Sequence, residues 1–168
     1  MSAGRALAAG ADTPPPAPAL AGDARYLLVF RVDASLYALE GGLVDHVSEL
    51  GQLAPVPTVP ACFAGIVHAR GRVLPAVDLA AVLGSGRARA EGSHRRLVIA
   101  ELEGRPLAVL AHEVLGLQAV APDRIRPAAC GDALAAGELT TPRGVVTLLD
   151  PGELLHRLRS GPEPHHVS

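Results

Sequence analysis

A chain of 168 residues has room for one ordinary domain or for two small lobes that share a core, but not for two large independent units. Hydrophobic residues make up 49% and charged residues 19%, so a substantial core is available and disorder throughout is excluded. The formal charge of -2 gives no field to draw in DNA or an anionic membrane, and the four aromatics, Tyr26, Phe30, Tyr37 and Phe63, cannot build a base-stacking platform.

Residues 1–24 hold nine Ala, four Pro and three Gly with no hydrophobic period, which predicts a disordered tail. Residues 160–168, rich in Gly, Pro and His, predict a second one, and the ordered body is expected from Arg25 to Arg159. Its first element is a strand, with Tyr26, Leu28, Phe30 and Val32 alternating against Leu27, Val29 and Arg31. Asp33, Ala34 and Ser35 supply a turn, and Leu36 to Leu39 returns before Gly41 and Gly42. Leu43 to Leu50 fits either a helical turn or a bent strand. Pro55, Pro57 and Pro60 then enforce an extended connection.

A second hairpin is predicted from Gly65 to Ala69, a tight turn at Arg70 and Gly71, and Arg72 to Val77. Asp78 caps a short helix through Leu83, with Gly84 as its stop, and Ser85 to Arg95 reads as loop. The pattern then repeats: strands from Leu97 to Leu102 and Pro106 to Ala111 flank a turn at Glu103 and Gly104. Glu113 to Val120 follows as counterpart of the ambiguous segment. Gly144 to Leu149 is a strand running into Asp150, Pro151 and Glu153, the signature of a helix start. Arg70 through Asp78 and Arg143 through Asp150 share one order of turn, strand, Asp and helix, which predicts two similar β lobes packed on a shared core, with their boundary near 84–96.

Chemistry-bearing constellations are few. His112-Glu113 lacks a second histidine one helical turn on, and Asp45-His46 is adjacent rather than convergent. No nucleophile elbow, phosphate-cradling loop or dinucleotide fingerprint is present, so no catalysis, metal or cofactor is expected. Arg87, Arg89, His94, Arg95 and Arg96 form a basic loop that reads as solvated, and His165 and His166 fall in the tail. Cys62 and Cys130 stand apart in apolar or small-residue surroundings and read as reduced thiols, and with no stretch near the roughly 18 apolar residues of a membrane span the chain is expected to be soluble and unexported. Arg70 at a hairpin tip is the more telling feature, since the turn needs glycine but not arginine, and a projecting guanidinium suits a partner's carboxylate or carbonyl.

The run P-A-C-F-A-G-I-V-H-A-R-G-R-V-L-P-A-V-D-L, from Pro60 to Leu79, resembles the signature of the CheW-like domain. The strand pairs L-L-V-F-R-V…L-Y-A-L-E and L-V-I-A-E-L-E-G-R-P-L-A-V-L and the closing V-V-T-L-L-D fall in that family's order, so the resemblance covers Arg25 to Leu158. It implies two five-stranded SH3-like barrels with a hydrophobic seam between them. The implied role is cytoplasmic coupling, bridging the tip of chemoreceptors to the regulatory domain of a CheA-type histidine kinase without catalysis. The family's partner-binding positions fall on Val44, Gly65 and Arg70, and the same surface takes in Val47, His68 and Gly71. Family members usually carry asparagine and aspartate where this chain has His68 and His112, which leaves an accessory chemosensory system, or a small β-barrel metal or ligand sensor built on those histidines, as alternative expectations.

Overall fold

The computed structural model describes residues 24–56, 62–83, 96–128 and 133–160. The two tails, Pro57 and Pro60, Gly84, the cluster from Arg87 to Arg95, Cys130, His165 and His166 lie outside the described residues. The elements in chain order are β1 (Arg25–Val32), β2 (Ser35–Glu40), a 3-10 turn (Gly41–Leu43), β3 (Val44–Glu49), β4 (Leu53–Ala54), β5 (Phe63–Ala69), β6 (Arg72–Val77) and α1 (Leu79–Val82). They continue with β7 (Arg96–Leu102), β8 (Arg105–Ala111), β9 (Glu113–Val120), a 3-10 turn (Pro122–Arg124), β10 (Ala135–Thr141), β11 (Gly144–Leu149) and α2 (Pro151–Ser160). The segment from Leu43 to Leu50, which its spacing left open, holds the strand β3 at Val44–Glu49, with Leu43 ending the 3-10 turn before it.

The architecture is mostly β, in two sheets. One has five strands in the order β9-β1-β2-β11-β10, and the other six in the order β3-β7-β8-β6-β5-β4. The expected division near 84–96 does not describe them. The β1–β2 hairpin of the first half pairs with β9 and β11 of the second, while β7–β8 of the second half pairs with β3 and β6 of the first. The chain changes sheet at Gly41–Leu43 and again at His112, so each half lends its leading hairpin to the other. Five strands per lobe is also corrected on one side, because the two-residue β4 adds a sixth by pairing Leu53 with Val67 and Ala54 with Ile66. Among the described residues the hydrogen-bonded order of neither sheet closes into a barrel.

The repeat is visible in the register itself. β2 runs parallel to β11 through Ala38 and Leu148, as β8 runs parallel to β6 through Ala108 and Ala76. Val114 faces Phe30 before a bulge, as Val44 faces Ala100 before a bulge. Both halves close with the same cap. Asp78 Oδ1 accepts from the backbone N–H groups of Ala80 and Ala81 at 3.1 and 3.4 Å, and Asp150 Oδ1 accepts from that of Glu153 at 2.9 Å. The N–H of each aspartate in turn donates to the chain ahead of its hairpin, Asp78 to the Cys62 carbonyl and Asp150 to the Leu134 carbonyl, both at 2.8 Å.

Both faces of the central strands are buried, which is why their sequences read as nearly continuous apolar runs. Leu28, Phe30 and Val32 of β1, Val98, Ala100 and Leu102 of β7 and Leu107, Val109 and Ala111 of β8 meet in one core between the sheets, closed by Leu79 of α1 and Leu154 and Leu158 of α2. On their other faces the sheets carry separate cores, one around Leu27, Val29 and Leu139, the other around Leu97, Ile99 and Leu74. Each fully buried Leu, Ile or Phe contributes about 1.5–3 kcal/mol. Because half of the central core comes from each half of the chain, neither half holds a complete hydrophobic surface of its own. A chain cut after Arg89 is therefore expected to give two pieces that are unfolded apart and recover native circular dichroism on mixing; either piece folding alone would contradict the exchange.

Candidate functional site

The six-stranded sheet presents β3 as one edge, and the β5–β6 hairpin lies in the same sheet. Val44 and Val47 are half-buried and rest on the central core, held at that depth by their pairing with Ala100 and Val98. The bulge between Val44 and His46 lets the strand place both valines on the core side while Asp45 is extruded into solvent. Asp45 Oδ2 and His46 Nδ1 are hydrogen-bonded at 2.8 Å. The second ring nitrogen of His46, Nε2, is buried with no hydrogen-bond partner among the described residues. The bond to His46 holds the Asp45 carboxyl below the ordinary aspartate range, and the fields of Arg70 and Arg72 add to the effect, which puts both guanidinium groups within electrostatic reach of β3.

Arg70 and Gly71 form the tip of the β5–β6 hairpin, with φ of 51° and 77°. Two consecutive left-handed residues are the turn that suits the twist of a two-residue hairpin, and glycine carries the second without penalty. Arg70 itself is exposed, as are Arg72 and His68 beside it on the strands. His68 pairs across the hairpin with Val73, which is 55% exposed and so adds an apolar contact to the tip. A cleft of about 170 Å³ opens between this hairpin and the β3 edge, lined by Leu43, Val44, Asp45, Arg72, Glu101 and Pro106 among others. Nothing in the sequence points to Arg72 or Glu101, and Asp45 drew notice there only as the neighbour of His46.

Gly65 has a different place from its neighbours. It is buried at φ +148°, and a Cβ there would sit 2.3 Å from the Ala54 carbonyl oxygen. The close backbone approach that glycine allows is thus made by β4 of the same chain. Gly137, its counterpart in the other sheet, repeats the arrangement beneath Ile125 and Arg126.

The two unusual histidines are not alike. His68 is exposed, whereas His112 sits where the chain changes sheet, with its side chain 9% exposed. His112 Nδ1 accepts from the Asp33 N–H at 2.9 Å, and its own N–H donates to the Arg31 carbonyl at 2.9 Å, pinning the β1–β2 turn, where Asp33 takes φ 54°. Arg31 extends the lock through Glu113 at 3.2 Å and the Asp33 carbonyl at 2.6 Å. His112 therefore serves the junction between the sheets. Among the described residues no group of three or more His, Cys, Asp or Glu could hold a metal ion. Cys62 is buried and free, and burial, with the nearby Asp78 charge adding to it, pushes its thiol up, away from the reactive thiolate. No helix among the described residues is long and apolar enough to cross a membrane.

The family model of the CheW-like domain matches residues 26–159. The chain is 35% identical to protein FrzA of Myxococcus xanthus over 63% of its own length and 66% of that protein's. It is 28% identical to chemotaxis protein CheW of Rhizobium meliloti (strain 1021), covering 74% of this chain and 78% of the relative. The crystal structure of scaffolding protein TtCheW from Thermoanaerobacter tengcongensis shares the fold with a TM-score of 0.67 at 21% identity, covering 76% of this chain and 89% of that one.

Two consequences can be measured. Because the folded-state midpoint of Asp45 is depressed, the contribution of its contacts is complete at neutral pH and is lost only as pH falls through that midpoint. In an NMR titration the Asp45 carboxyl should have its midpoint below the ~3.9 of an unperturbed aspartate and move up toward it in His46→Ala; no movement would assign the shift to the arginines instead. Gly65→Ala should cost about 2–3 kcal/mol in urea unfolding, since backbone must move, and Gly137→Ala less, since the nearest atom there is the Ile125 side chain at 2.8 Å.

Proposed function

The chain belongs to the CheW-like domain family, and from that membership we propose that it is a non-catalytic cytoplasmic adaptor that couples chemoreceptors to a CheA-type histidine kinase. The observation that carries this reading is the surface made by β3 and the β5–β6 hairpin. Val44 and Val47 offer an apolar strip backed by the central core, and Arg70, with Arg72 beside it, offers projecting charge with no ion-pair partner among the described residues. An apolar anchor beside arginine on a rigid frame is the composition of an interface hot spot. Its supports are hydrogen-bonded strands, so little ordering entropy opposes docking.

Within this reading each site residue has a stated part. Val44 and Val47 supply contact area. Arg70 and Arg72 receive a partner's carboxylates or carbonyls. Gly71 shapes the tip, and His68 with Val73 widens it. Gly65 contributes indirectly, by letting β4 pair closely alongside the hairpin that carries Arg70. Receptor tip and kinase regulatory domain are the partners, and docking beside a membrane-bound receptor needs no span of its own.

Service in an accessory chemosensory system is a narrower version of the same role. It is favoured by His68, which stands on the docking surface where family members usually carry asparagine, and by the similarity to FrzA. A metal sensor built on His68 and His112 finds no comparable support, because His112 Nδ1 is already occupied.

The test is a calorimetric titration against the regulatory domain of the CheA-type kinase and against a receptor-tip fragment from the same organism. Arg70→Ala should weaken at least one of the two by ~1–3 kcal/mol with its melting temperature nearly unchanged, and Val44→Asp should weaken it further at some cost in melting temperature, because Val44 rests on the core. Absence of binding by the unmodified chain to both proteins would remove the adaptor reading.

A further inference from the structure

The internal repeat supplies a control for the paired positions, and the cleft beside Val44 is one place where the two sheets differ. Val44 corresponds to Val114 and Ala100 to Phe30, because the two pairs occupy the same step of the register ahead of the same bulge. In the five-stranded sheet Phe30 is wholly buried. In the six-stranded sheet the same position is held by Ala100, and the cleft of about 170 Å³ opens there.

The charges differ in the same way. One step along the register, Glu113 faces Arg31, and the two form an ion pair at 3.2 Å that closes the five-stranded sheet's edge. The corresponding positions in the six-stranded sheet are Leu43 and Glu101. Glu101 stands where Arg31 stands in the other sheet and is exposed on the cleft wall with no cation bound to it among the described residues, while the place of Glu113 is taken by the apolar Leu43 of the 3-10 turn. The cleft lining holds two carboxylates, Asp45 and Glu101, against one guanidinium, Arg72. Asp45 is tied to His46 through Oδ2, and its side chain is more than half exposed. The volume is well below the roughly 300–1,000 Å³ of small-molecule sites and suits a single side chain.

From this asymmetry we infer that the cleft receives a lysine or arginine side chain of the bound protein, its stem on Leu43, Val44 and Pro106 and its charge between Glu101 and Asp45. The incoming cation completes in trans the ion pair that the five-stranded sheet makes in cis through Arg31 and Glu113. A partner fitting the whole surface then carries a basic residue for the cleft and acidic or carbonyl groups for Arg70, which makes Glu101 a determinant of partner choice. The inference rests on the adaptor reading for its partner, and adds to it the chemistry of the residue that enters.

The experiment uses the full chain and the same two probes, the kinase regulatory domain and the receptor-tip fragment, with Val44→Asp, Glu101→Gln and Glu101→Arg compared after circular dichroism shows each folded. Against the probe that Val44→Asp weakens, Glu101→Gln should bind about tenfold more weakly and Glu101→Arg about a hundredfold or more. A Lys/Arg→Glu scan of that probe should find one variant that restores binding to Glu101→Arg. Should Val44→Asp abolish binding while Glu101→Arg binds like the unmodified chain, the adaptor surface stands and the cation in the cleft is wrong. Should the unmodified chain bind neither probe, the adaptor reading fails and takes this inference with it.

Discussion

The central core between the two sheets is the constraint on which the rest of the molecule depends. It is filled from both halves of the chain at once, by Leu28, Phe30 and Val32 on one side and Val98, Leu102, Leu107 and Val109 on the other. Each half donates its leading hairpin to the other, so the core cannot form until strands far apart in sequence have met. The crossings that make this exchange possible are short and tightly held. Gly41 lies against Leu117 and the Tyr26 backbone at one crossing, and His112 binds the Arg31–Asp33 turn at the other.

That same frame fixes the surface proposed for docking. Val44 and Val47 lie at the rim of the shared core because β3, having just crossed from the other sheet, pairs with β7 at its edge. The hairpin carrying Arg70 is flanked by β4, which pairs with β5 and approaches Gly65 as closely as it does only because that residue has no side chain. In the proposed reading, function comes from departure from symmetry. Where the five-stranded sheet has Phe30, Arg31, Leu115 and Pro142, the six-stranded sheet has Ala100, Glu101, Asp45 and Arg70. The result is an open, charged edge in place of a filled and self-paired one.

Much of this was legible in the residues. Strands flanked by Asp33, Arg70-Gly71 and Glu103-Gly104 announced themselves, as did the caps at Asp78 and Asp150, because turn and cap chemistry are local. The repeat was legible too, but not the exchange of hairpins, since adjacent strands look alike whether they pair at home or with the other half. The strand at Ala135–Thr141 went unread because A-A-G-E-L-T-T has weak strand propensity and is recruited by pairing with Gly144–Leu149. Of the site, Arg70 stands out by its place at a hairpin tip as well as by family resemblance, whereas Val44 rests on the resemblance alone. Asp45, Arg72 and Glu101 are brought together only by the fold, and no spacing in the sequence points to them.

The most direct measurement is an amide and methyl NMR map of the isotope-labelled chain as it is titrated with the regulatory domain of the CheA-type kinase and, separately, with the receptor-tip fragment. At least one of them should shift or broaden Val44, Val47, Arg70 and Arg72 while leaving Val114 and Leu117, the counterparts of the two valines in the other sheet, unchanged. Perturbations confined to β9 and the β10–β11 hairpin, or none with either protein, would contradict the proposed docking surface.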